Sequence, residues 1–179
     1  MKVMGISGMP GSGKSFISDI ATERGAIIVS MGDIVREEAK KRGESSKETA
    51  KNLRAEFGQY IISELTIKKI KKLQEEGIEN SIVVEGIRSL HEVDMFREEF
   101  DNFIIVSVFA NPTLRFERLK LRMREDDSTD FNVFDARDRT ELGFGIGSVI
   151  SLSDKLIINE SDVESYCEKI NEYFDEINL

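Results

Sequence analysis

A chain of 179 residues, 40% of them hydrophobic, can build one domain around its own core without disulfides or metals. The single cysteine, Cys167, excludes a disulfide framework, and a net charge of −9 argues against a broad nucleic-acid-binding face. No apolar run reaches the roughly 18 residues of a membrane span and the first residues lack a long apolar stretch, so the expected compartment is the cytoplasm.

In chain order, five short runs rich in Val and Ile stand out, at 2–7, 26–30, 81–85, 103–109 and 155–159. They are nearly continuous rather than alternating, the pattern of strands buried on both faces. Helical periodicity fills the gaps, starting at Lys14 and at Asp33 and covering 47–76, 90–100, 113–124 and 161–178. Alternating strands and helices predict an α/β fold with a five-stranded parallel sheet flanked by helices. The stretch 47–76 is longer than a crossover requires and contains Gly58, so 45–77 is read as a helical insertion over an acceptor site. The charged, Gly-containing stretch 125–147 is read as a short mobile lid, with all of 1–179 forming one domain.

The sharpest motif joins the first strand to the first helix. Gly8-Met9-Pro10-Gly11-Ser12-Gly13-Lys14-Ser15 matches G-x-x-x-x-G-K-[S/T] in full. Glycines allow the bend that turns successive backbone N–H groups toward phosphate oxygens, and the following helix adds its positive end. Lys14 then reaches the β- and γ-phosphates of a bound nucleotide, and the Ser15 hydroxyl is a ligand for Mg²⁺. ATP and Mg²⁺ are the expected cofactors, on a P-loop NTPase fold.

The acceptor side carries a resemblance. Ser30-Met31-Gly32-Asp33-Ile34-Val35-Arg36 resembles the adenylate kinase segment in which Gly-Asp is followed by two apolar residues and an arginine. The resemblance implies that Arg36 holds the acceptor phosphate and that Asp33 lies near the transferring group and its Mg²⁺. The alternative is a helix cap (Ser30 or Asp33) followed by a solvated arginine. Val83-Val84-Glu85-Gly86-Ile87-Arg88 is similar to the strand-end Asp-Gly…Arg segment of nucleoside monophosphate kinases, which implies Mg²⁺ for Glu85 and phosphate for Arg88. It departs from that pattern in having Glu for Asp and a shorter spacing. Arg54, in the insertion, is a further candidate acceptor contact.

Six arginines fall between 115 and 139. Arg115, Arg118 and Arg122 share a helix face by their spacing. Arg124-Glu125-Asp126-Asp127 and Arg137-Asp138-Arg139 resemble the adenylate kinase lid. That implies phosphoryl-stabilising roles for Arg118, Arg124 and Arg137, and an acceptor contact for Arg122. Gly143-Phe144-Gly145-Ile146-Gly147 is read as a loop beside the adenine, and His91 as a residue of a helix start.

Leu152 to Asn159 resembles a stretch late in dephospho-CoA kinases. The overall likeness is to an archaeal branch of adenylate kinase-related P-loop proteins. It implies an ATP-dependent phosphotransferase acting on a small nucleotide-like acceptor, nucleoside monophosphate kinase-like. A dephospho-CoA kinase-like enzyme and a nucleotide-dependent regulatory ATPase are the alternatives. The acceptor base and the oligomeric state are left open.

Overall fold

The computed structural model describes residues 1–123 and 127–179. Five strands form one parallel sheet in the order β2-β3-β1-β4-β5: β1 Val3–Gly8, β2 Ile27–Ser30, β3 Ile82–Glu85, β4 Ile104–Phe109 and β5 Lys155–Ile158. Each falls within or one residue beyond the run expected from sequence. Successive residues of a strand face opposite sides, and here both sides are dry, so every position of β1 is buried.

One side of the sheet is covered by α1 (Lys14–Glu23) and α9 (Val163–Glu176). Ile17, Ala21, Tyr166, Ile170 and Phe174 from these helices meet Met4, Ile6, Val83, Val106 and Ile157. The other side carries α2 (Met31–Arg42), α4 (Ile61–Glu75), α5 (Leu90–Glu99) and α8 (Ile146–Ser151), which contribute Val35, Ile67, Ile70, Phe96 and Val149. Burying a side chain of this size stabilises by roughly 1.5–3 kcal/mol, which is why these two layers define the fold.

Local signals set the helix ends. Ser45–Glu48 and Ser89–Glu92 form capping boxes at the starts of α3 (Ser46–Phe57) and α5. Asn111 caps α6 (Pro112–Arg122), whose proline occupies the first turn, where a missing N–H costs nothing. Helix α2 starts two residues earlier than expected, because the Ser30 hydroxyl accepts from the Asp33 amide at 3.4 Å.

The 45–77 segment is helical, as expected, and breaks at Gly58 into α3 and α4; α4 packs on the sheet, and α3 stands off, packed mainly on α2 and α4. One expectation is corrected. The stretch read as a loop at Gly143–Gly147 is the end of α7 (Phe131–Phe144), its cap at Gly145 and the start of α8. Charged residues had hidden α7, which buries only Phe134 and Asp138 and so lacks an apolar stripe.

Candidate functional site

The site opens at the C-terminal ends of β1 and β3, beside the loop from Gly8 to Gly13. That loop is held by its carbonyl groups. The Lys14 ammonium donates to Gly8 O at 2.5 Å and to Met9 O at 3.2 Å. Arg115 Nη1 donates to Pro10 O at 3.1 Å, Asn159 Nδ2 to Ser12 O at 2.8 Å, and the Tyr166 hydroxyl to Gly13 O at 3.1 Å. With these oxygens engaged, the amides at the start of α1, which have no acceptor a full turn earlier in their own helix, are available to an anion. Gly13 caps α1 in the left-handed region, at φ 102°, and a Cβ there would meet Asn159 Nδ2 at 2.2 Å, so both conformation and space demand glycine.

Around this loop lies a cleft of about 580 Å³, within the ordinary size of a ligand pocket. Lys14, Ser15, Arg36, Glu85, Arg88, Arg118, Arg122 and Arg137 all line it, together with Glu141. Burial pushes the Lys14 ammonium down to about 8 from its usual 10.5; Glu141 and Glu85 oppose that shift, while Arg88 and Arg122 add to it. Four charged side chains distant in sequence thus act on one ammonium.

Four of the five cleft arginines are matched to carboxylates. Arg36 pairs with Asp33 one turn away, Nε to Oδ1 at 2.9 Å, on the exposed start of α2. Arg88 Nε lies 2.9 Å from Glu141 Oε2, with its guanidinium 5.8 Å from the centre of the Phe144 ring. Arg122 and Arg137 both reach the Asp127 carboxylate, whose side chain is 2% exposed. Arg118 Nη2 donates to Asn159 O and Oδ1 at 3.1 and 3.2 Å, and its buried Nη1 has no hydrogen-bond partner among the described residues.

Several expected site residues stand apart from this cleft. Arg54 folds back to donate to Ala50 O of its own helix at 3.2 Å, away from the cleft lining. Asp33 is not part of the cleft lining and meets it through Arg36, held by its carboxylate, and through Ser30, which caps its amide. Arg115, grouped with the phosphate-facing arginines by spacing, is 3% exposed and outside the cleft lining, its guanidinium buried between Pro10 O and Asp138. Gly145 lies against Arg88 O and Ser89 rather than in the cleft lining. Arg124 falls outside the described residues. Conversely, sequence reading missed Glu141, Asn159 and Tyr166. Asn159 directly follows β5 and closes the Leu152–Asn159 stretch that resembles dephospho-CoA kinases, and those were its signals; Glu141 and Tyr166 gave none.

A parallel five-stranded sheet with this loop after its first strand defines a P-loop protein of kinase-like fold. A family model described as "AAA domain" matches residues 7–133. The chain belongs to the UPF0200 family. It is 46% identical to the UPF0200 protein of Methanothermobacter thermautotrophicus, over 91% of this chain and 84% of that one. It is 44% identical to the UPF0200 protein of Methanocaldococcus jannaschii, over 99% and 91%. Among solved structures, a shikimate kinase from Bacteroides thetaiotaomicron superposes with a TM-score of 0.61 at 13% identity, covering 99% of each chain. The protein TT1252 of Thermus thermophilus gives 0.64 at 16%, covering 98% and 97%. At such identity the likeness is one of fold.

Proposed function

We propose that this protein transfers the γ-phosphoryl group of ATP to a small phosphorylated, nucleotide-like acceptor. The observation that carries the proposal is that one cleft joins the phosphate loop to five arginines, Arg36, Arg88, Arg118, Arg122 and Arg137, in a protein of net charge −9. A protein that only hydrolysed or sensed ATP would need the loop and Lys14, but not arginines on the far, β2–β3 side of the cleft.

The roles follow from the chemistry. The loop amides and Lys14 bind the β- and γ-phosphates. Arg36, in α2 after β2, and Arg88, just beyond β3, grip the acceptor phosphate, because a guanidinium fork matches its oxygens. An acceptor oxygen then forms a bond to the γ-phosphorus as the bond to the β–γ bridging oxygen breaks, and ADP leaves. Arg118, Arg122 and Arg137 stabilise the charge spread over the moving group. The buried Nη1 of Arg118, without a hydrogen-bond partner among the described residues, is a donor that a phosphoryl oxygen would satisfy.

The residues at hand fit Mg²⁺. No group of three or more His, Cys, Asp or Glu side chains gathers as a metal site among the described residues. Mg²⁺ is usually held by one or two protein oxygens plus substrate phosphates, however, and Ser15 and Glu85 both line the cleft. Ser18 Oγ donates to Glu85 Oε1 and orients that carboxylate. When bound, Mg²⁺ neutralises charge between the β- and γ-phosphates.

The test is ADP release from Mg·ATP in the presence of each nucleoside monophosphate and of dephospho-CoA. Turnover dependent on a monophosphate upholds the reading. Turnover with dephospho-CoA alone assigns the protein to that activity instead. Slow hydrolysis indifferent to every acceptor makes it a regulatory ATPase.

A further inference from the structure

We propose that the buried Arg115–Asp138 pair is a positioning device that holds α7, and with it Glu141 and Arg137, in register with the phosphate loop. The inference concerns residues that touch no ligand, and its catalytic arm rests on the phosphotransfer reading above.

Three separate parts of the chain meet at one guanidinium. Arg115 Nε donates to Ala110 O, just beyond β4, at 3.1 Å. Its Nη1 donates to Pro10 O of the phosphate loop at 3.1 Å and to Asp138 Oδ1 at 2.9 Å, while Nη2 reaches Asp138 Oδ2. The ring of Phe134, one turn before Asp138, lies 5.1 Å from the guanidinium carbon. Arg115 and Asp138 are 3% and 8% exposed.

Burying an ion pair is a poor way to gain stability, since its desolvation cost rivals its attraction and an apolar pair of similar volume often does as well. What a fork-to-fork pair supplies is geometry. Helix α7 needs it, because Phe134 and Asp138 are its only buried residues among those described and apolar packing alone leaves its register loosely defined. Glu141, three residues on from Asp138, shares its side of the helix, and Arg137 is its neighbour; both line the cleft. The other end of the same guanidinium fixes Pro10 O. Loop and helix are therefore set by one group.

The experiment compares Asp138→Asn with the wild type by amide hydrogen exchange and by ADP release from Mg·ATP with the best monophosphate found. Exchange in α7 is expected to accelerate at least about tenfold while α9 is unchanged. The kcat is expected to fall about 100-fold, with the KM for ATP within about threefold, as for groups displaced by about an ångström. A folded variant with wild-type kcat and wild-type α7 exchange overturns the proposal. If Asp138→Asn does not fold, the double variant Arg115→Met with Asp138→Leu decides. Folded with a lowered kcat, it supports positioning; folded with a wild-type kcat, or unfolded like the single variant, it reduces the pair to a structural role. Should the wild type itself show no turnover, the phosphotransfer reading fails while the exchange comparison still judges the register of α7.

Discussion

The two walls of the cleft are built on different principles. The phosphate loop is a backbone device: five of its carbonyl groups accept from Lys14, Arg115, Asn159 and Tyr166, and glycine conformations give it shape. The other wall, side chains from α2, α6, α7 and the segment after β3, is a side-chain device in which Arg36, Arg88, Arg122 and Arg137 each hold a carboxylate. The first wall receives phosphate with little rearrangement. On the proposed reading, arginines of the second exchange a carboxylate for a phosphate when substrate arrives. Pre-organisation is thus expected to govern nucleotide affinity, and charge exchange to govern acceptor affinity.

The contrast breaks most visibly at Lys14. Lys14→Ala removes the ammonium bound to two loop carbonyls and should lower ADP release about 10²–10³-fold, the usual cost of losing a transition-state electrostatic donor. A variant as active as the wild type would refute the site. Next, Arg88→Ala should raise the acceptor KM about 10–100-fold, the worth of a hydrogen bond to a charged group, with the KM for ATP little changed. Arg54→Ala, whose guanidinium folds back on the Ala50 carbonyl of its own helix, should leave both constants alone. Equal effects at both arginines, measured by initial rates, would dissolve the distinction between the walls.

A smaller effect is expected with pH. The free Lys14 ammonium titrates near 8, and bound phosphates favour its charged form. Nucleotide binding above pH 8 must then take up a proton, so affinity should be flat below pH 8 and fall by up to about tenfold per unit above it. Calorimetry in buffers of different ionisation enthalpy reads that proton directly. For the ligand-free protein the sign is reversed. Because the folded pKa is depressed below 10.5, the unfolded chain binds more protons between about 8 and 10.5, and the Lys14 contribution to stability grows with pH across that window.

A milder loss than at Lys14 or Arg88 is expected of Tyr166→Phe, which deletes the donor to Gly13 O and retains the ring. Losing one neutral hydrogen bond should weaken Mg·ATP binding about 2–10-fold, measured by titration, while the acceptor KM stays put. A change confined to acceptor affinity would mean that the loop's outer ties serve the other wall.

These differences track what was legible in the sequence. The loop, the five strands and the break at Gly58 are local in origin. A Gly-x-x-x-x-Gly-Lys-Ser string, an unbroken apolar run or a glycine with positive φ declares itself within a few residues. The helical character of 131–144 was obscured for the converse reason: its residues are charged, its buried ones are two, and its docking partner Arg115 lies 23 residues earlier.

Sequence alone therefore determined the sheet, the phosphate loop and the set of arginines available to a phosphate site, because burial pattern and backbone freedom are properties of short segments. Only the tertiary structure decided which arginines face the cleft. Arg115 and Arg118, three residues apart on one helix, part company: one is buried against Asp138 and the loop, the other lines the pocket. Charge on a helix face does not say what will pack against it; the elements that close over that face assign each guanidinium its partner.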